Sequence, residues 1–146
     1  AKMLAAFKAL RDDRQLLTPD FQAQLMEEEI GADYFGVWQS IDTDQTGPVH
    51  TALAELAARS RLVAIVTTNF DRLLETALAA RGVPFEVFCD AAGFDRLLAR
   101  DGDAPTPLPV IKIHGSIDDV SSLVDTLRQR VAGRPASLNA VLRRLL

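Results

Sequence analysis

The sequence predicts an α/β domain: a parallel sheet preceded by an N-terminal helical portion. Three observations carry that reading. The first sixty residues place apolar side chains at helical spacing, after which the pattern changes to short continuous apolar runs rich in β-branched residues. Three such runs, at 62–67, 84–88 and 110–113, alternate with segments patterned as helices. Strand, helix, strand, helix, strand needs crossover connections, and crossovers place the strands parallel.

The elements follow in order. Met3, Leu4, Phe7 and Leu10 recur at helical spacing, and Thr18-Pro19 offers an N-cap and a first-turn proline for a helix through Glu29 that Gly31 ends. Tyr34, Phe35 and Trp38 in "DYFGVWQS" are expected to pack as core. "TDQTGP" is a loop, and Pro48 opens a helix in which Leu53, Leu56 and Ala57 share a face up to Ser60. "RLVAIVTT" reads as a strand covered on both sides, and "FDRLLETALAARG" as a helix stopped at Gly82. "PFEVFC" is the second strand, "GFDRLLARDG" a short helix, "DAPTPLP" a loop and "VIKI" the third strand. From Ser121 to Leu146 the chain is mostly helical, with a break at Gly133-Arg134-Pro135. There is no internal repeat and no low-complexity tract.

Composition bounds the rest. At 146 residues and 48% hydrophobic, the chain suits one domain with a real core, divided into a helical portion (1–60) and a βαβαβ portion with C-terminal helices (61–146). The net charge of −4 comes from scattered acids and bases with no basic block, which argues against a direct nucleic-acid partner. Arg128, Arg130, Arg134, Arg143 and Arg144 read as a solvated helix face. The single cysteine, Cys89, excludes an internal disulfide or a four-cysteine zinc site; it reads as a buried inert thiol in a cytoplasmic protein. The opening segment is interrupted by Lys8 and Arg11, so neither a signal peptide nor a membrane span is expected.

The chemistry gathers where strands end. Parallel strands share one rim, and ligands bind in the crevice outside their carboxyl ends. The first strand releases Thr68, Asn69 and Asp71 there, and the third releases His114, Gly115 and Ser116. Histidine can accept a proton from a hydroxyl or water near neutrality, while an asparagine amide positions that water without ionising. Gly115 allows close backbone approach. Asp71 is placed both to cap the following helix and to meet a ligand. Taken alone, His114 would read as a satisfied structural residue; Asn69 on the same rim favours a catalytic role. His50 reads as a hydrogen-bonded helix residue. A metal site from His114, Asp118 and Asp119 lacks a fourth ligand, and a serine hydrolase reading of Ser116 with His114 lacks the nucleophile elbow.

These residues carry a resemblance. "TTNFD" resembles the T-Q-N-I-D strand end of sirtuins, "KIHGS" resembles their histidine-glycine strand end, and "PVHTAL" is similar to the proline-x-x-histidine helix before them. Order and spacing resemble best the prokaryotic sirtuin-like domains without a zinc ribbon. Thr68 stands where the family has glutamine, and Phe70 where it has isoleucine. The resemblance implies a partial Rossmann-like sheet lacking its first and last strands, since the G-A-G-x-S loop and the later nucleotide-binding turns are absent. The chain then reads as an internal piece of a longer protein whose further domains are its partners, with homo-oligomers expected. It also implies NAD as substrate, no zinc, and hydrolysis of the nicotinamide–ribose bond, of the kind used in anti-phage defence. By the same resemblance His114 is the general base, Asn69 positions water and ribose, Asp71 meets the nicotinamide carboxamide, and Thr68, Gly115 and Ser116 complete the cofactor contacts. An NAD-dependent protein deacylase and a non-catalytic module binding NAD or ADP-ribose are the alternatives.

Overall fold

The computed structural model describes residues 18–31, 33–40, 43–100 and 107–145. The helix expected around Met3, Phe7 and Leu10, and most of the "DAPTPLP" loop, lie outside the described residues. The elements run α1 (Pro19–Ile30), α2 (Asp33–Ser40), α3 (Pro48–Ala58), β1 (Ile65–Thr67), α4 (Leu73–Ala80), β2 (Phe85–Phe88), α5 (Ala91–Leu98) and β3 (Leu108–Lys112). A 3-10 turn (Val120–Ser122), α6 (Leu127–Val131) and α7 (Ala136–Leu145) complete them. The sheet order is β1-β3-β2 with both pairs parallel, so the α/β reading and its three strands hold.

Local signals act as read. Thr18 Oγ1 accepts the Phe21 N–H at the start of α1. Gly31, at a φ of 61°, closes that helix with its N–H on Glu27 O at 2.8 Å. Gly82 (φ 66°) follows α4, and Gly133 (φ 86°) falls in the break between α6 and α7. Asp90 caps α5 by accepting the Gly93 N–H at 2.7 Å.

The central strand β3 feeds both faces of the sheet, because successive strand residues point oppositely. Val110 packs with Ala54, Ile65, Leu74, Ala77 and Leu78 under α3 and α4. Ile111 packs with Phe88, Phe94, Leu138 and Val141 under α5 and α7. The layers are therefore helix, sheet, helix. The N-terminal helices divide: α3 lies on α4, whereas α1 docks on α6, where Gln24 Oε1 accepts the Arg128 N–H at 3.1 Å. Tyr34 on α2 is buried and donates its hydroxyl to Asp125, and Trp38 meets the Phe70 ring edge-on at 5.0 Å. Thus α2 packs against the loop that leaves β1.

Five expectations change. The first strand spans only three residues and is not covered on both sides, with Val63 83% and Val66 46% exposed. It is one of the two edge strands, and the buried cluster under α5 and α7 draws on β2 and β3. The helix after it begins at Leu73, because residues 71–72 form a bend that Asp71 organises. Leu56 is exposed; Leu53 and Ala57 face the core half-buried as expected, and Ala54 is the residue α3 buries fully. The third strand starts two residues early, at Leu108, and residues 123–126 leave the 3-10 turn without helix.

Candidate functional site

The two polar stretches leave adjacent strands at matching positions. Thr67 pairs in register with Lys112, so Asn69 and His114 each stand two residues beyond the last paired position. The loops are joined by main-chain bonds: Ile113 N–H donates to Thr67 O at 3.0 Å, and Ile117 N–H to Phe70 O at 2.9 Å.

A third link comes from Lys112. Its side chain is 1% exposed, and its ammonium donates to Asp71 O at 2.5 Å, Phe70 O at 3.3 Å and Ser116 Oγ at 3.2 Å. Glu75 on α4 supplies the countercharge, with Oε1 at 2.5 Å from Nζ. That contact is an ion pair rather than an aligned hydrogen bond, and Glu75 Oε2 is buried without a donor among the described residues.

Beside this junction lies a cleft of about 160 Å³ whose lining includes His50, Thr67, Asn69, Asp71, Glu75 and Lys112. Asp71 faces it while its Oδ1 accepts the Leu73 N–H at 3.0 Å, so the capping and cleft-facing placements coexist. His50 sits in the first turn of α3, where its Nδ1 accepts the Gly47 N–H at 3.0 Å. A neutral ring with Nδ1 as acceptor carries its proton on Nε2, so His50 is a donor.

His114 does not line that cleft. Its charged neighbours are Arg130, Arg134 and Asp125 from the C-terminal segment. Burial holds its pKa below the ordinary value, the two arginines lower it further, and Asp125 partly offsets them. The imidazole is therefore neutral, and able to accept a proton, over a wider pH range than a free histidine. Arg134 is itself lowered, by burial and by Arg130, and its Nη1 is buried without a hydrogen-bond partner among the described residues.

The remaining predicted residues take distinct places. Gly115 is required: at a φ of 86°, an added Cβ would stand 2.2 Å from Ser122 O. The close approach it permits is to its own chain at Ser122 and Leu123. Ser116 is buried, with its hydroxyl on Lys112 and its N–H donating to Ser122 Oγ at 2.9 Å. Thr68 is exposed at the rim, and Thr67 rather than Thr68 lines the cleft. Burial pushes the Cys89 thiol up, away from the reactive thiolate. No group of three or more metal-ligating side chains occurs among the described residues, and no helix there is long and apolar enough to cross a membrane.

Residues 63–145, more than half the chain, match the family model of the SIR2-like domain, from the run before β1 through α7. The chain belongs to the SIR2-like domain family. No curated protein matches it. The SIR2-like family uses NAD. Sites for whole drug-sized ligands run to roughly 300–1,000 Å³. The cleft, about 160 Å³, is smaller than that, and Val49, Leu53, Ile65, Val66 and Leu74 line it beside the polar groups.

Two residues at this junction, Lys112 and His50, are not among the site residues to which the sequence points. Lys112 stands in the runs "VIKI" and "KIHGS" with no role of its own in the sequence. The available signal was its place inside an apolar strand of a parallel sheet, where a charge must find a partner. His50 was read as a hydrogen-bonded helix residue, and so it is. Its place in the cleft wall follows from α3 packing on α4, a tertiary contact no local pattern encodes.

Proposed function

We propose that this SIR2-like domain hydrolyses NAD at the nicotinamide–ribose bond. The observation that carries the reading is the register: Asn69 and His114 stand at equivalent positions beyond Thr67 and Lys112 on adjacent parallel strands. In this reading His114, kept neutral by burial and by Arg134 and Arg130, takes the proton from a ribose hydroxyl or the attacking water. Asn69 holds that water and the ribose through its amide. Asp71, whose backbone bend is already fixed, meets the carboxamide in the cleft. Thr68, Gly115 and Ser116 serve the same site, the last two by shaping the loop below His114. Fixed dipoles around an oxocarbenium-like ribose contribute as much as the base, since no solvent reorganisation is then needed. NAD is consumed as substrate with no zinc in the step, the setting is cytoplasmic, and the outcome is depletion of NAD in anti-phage defence. Further domains of a longer chain and a homo-oligomer are the proposed partners.

The test is nicotinamide released from NAD by the intact protein, comparing wild type with His114→Ala and Asn69→Ala. The expected result is loss of about 10²- to 10⁴-fold for His114→Ala, the usual contribution of a general base, with the fold retained. Both variants turning over at the wild-type rate would discard the assignment. Binding of NAD or ADP-ribose by a wild type that never cleaves it would favour the binding module instead, and deacylation of acetyl-lysine peptides would favour the deacylase.

A further inference from the structure

Lys112 ends β3 and is 1% exposed, yet it carries a charge. A buried ion pair is weak evidence of stability, because a well-packed apolar residue of similar volume is often as good or better. Stability therefore gives little reason for a lysine here, and the contacts suggest another. Two acceptors of Nζ, the carbonyls of Phe70 and Asp71, are consecutive groups of the loop that carries Asn69 and Asp71. The third, Ser116 Oγ, belongs to the loop that follows His114 and Gly115. An ammonium with three donors can hold all of these at once, whereas an apolar side chain holds none.

We propose that Lys112, balanced by Glu75, is a positioning residue that fixes the placement of Asn69 and Asp71 against His114 across the rim. The inference rests on the reading that Asn69 and His114 carry the reaction. Ile117 N–H on Phe70 O ties the same two loops independently, so removing the ammonium displaces the polar groups without severing the loops. Misplacement by about 1 Å is enough to lower a rate about 10²-fold.

The experiment compares Lys112→Met, the charge-balanced pair Lys112→Met with Glu75→Gln, and Lys112→Arg in the intact protein. It reads kcat and KM for nicotinamide release, together with amide exchange at residues 69–73. The double variant is expected to fold, to lose about 10²-fold in kcat with a smaller change in KM, and to exchange faster at 69–73. Lys112→Arg, which keeps a multidonor cation, should recover part of the loss. In an Asn69→Ala background, removing Lys112 should cost little more, because a positioning residue acts through the group it positions. A folded double variant with wild-type kcat overturns the proposal. So does a loss that multiplies fully with Asn69→Ala, or failure of both Met variants to fold. A wild type that does not cleave NAD refutes the functional reading instead, and unchanged exchange at 69–73 then overturns the positioning role on its own.

Discussion

At the scale of single residues, the two ends of the site answer to different physics. The His114 pKa is held down by burial first and by Arg134 and Arg130 second. Arg134→Gln removes a positive neighbour, which favours the protonated ring, so the acid limb of the rate profile should move to higher pH. An imidazole titration by NMR should move the same way, and an unmoved limb would show that another group sets it. The sign for stability also follows. A histidine neutral in the fold binds protons less readily than in the unfolded chain, so its contribution is present above an unfolded pKa of about 6.5 and is lost as pH falls below it. Asp71 separates charge from capping. Asp71→Asn keeps an oxygen for the Leu73 N–H and should leave the unfolding midpoint nearly unchanged, whereas Asp71→Ala should cost about 1 kcal/mol. Nicotinamide release should fall in both, since both remove the carboxylate. The placement of Asn69, Asp71, His114 and Gly115 just beyond the ends of β1 and β3 was legible in the sequence, because polar residues and a glycine directly after an apolar run mark where a strand stops. Lys112 was not, because a strand lysine reads as solvent-facing until the strand is known to be central and covered.

At the scale of elements, strand existence and direction were legible because β-branched runs and intervening helices leave one economical topology. Boundaries were not, because the bend at 71–72 and the strand start at Leu108 depend on partners across the sheet: Phe70 O accepting the Ile117 N–H, and Leu108 N–H on Pro84 O at 2.9 Å. The segment from Gly115 to Leu123 shows how tightly one loop is built. Gly115→Ala forces a side chain into a positive φ, at about 1–3 kcal/mol, and drives its Cβ onto the Ser122 carbonyl. Denaturant unfolding should show at least that loss, and Val124 N–H, which donates to His114 O at 3.0 Å, should lose exchange protection. A variant as stable as wild type would mean that the loop relaxes at no cost. The start of α6 gives a milder case. Thr126 is fully buried and accepts the Gln129 N–H, while Gln129 Oε1 accepts the Thr126 N–H at 3.0 Å. Loss of this capping box in Thr126→Ala should cost about 1 kcal/mol.

At the scale of the whole molecule, the sheet separates two cores, to each of which β2 and β3 give alternate side chains. Leu78 belongs to the cluster under α3 and α4, and Leu138 to the cluster under α5 and α7. Each is buried, so Leu78→Ala and Leu138→Ala should each cost about 2–5 kcal/mol, the range for leucine truncations that leave partly collapsed cavities. The two positions share no cluster neighbour, and independent sites add to within about 0.5 kcal/mol. Their double variant should therefore unfold at a free energy close to the sum of the separate losses. Val110 provides the contrast, because it lies in the Leu78 cluster and on β3 itself. Val110→Ala with Leu78→Ala opens one shared cavity rather than two, and the pair should depart from additivity by more than that margin. Chemical denaturation of the three single and two double variants, with the slope checked for constancy, reads this directly. Additivity in the second pair with coupling in the first would mean that β3 transmits packing changes through the sheet instead of dividing them. The rim groups held by Lys112 would then be sensitive to the core on either face.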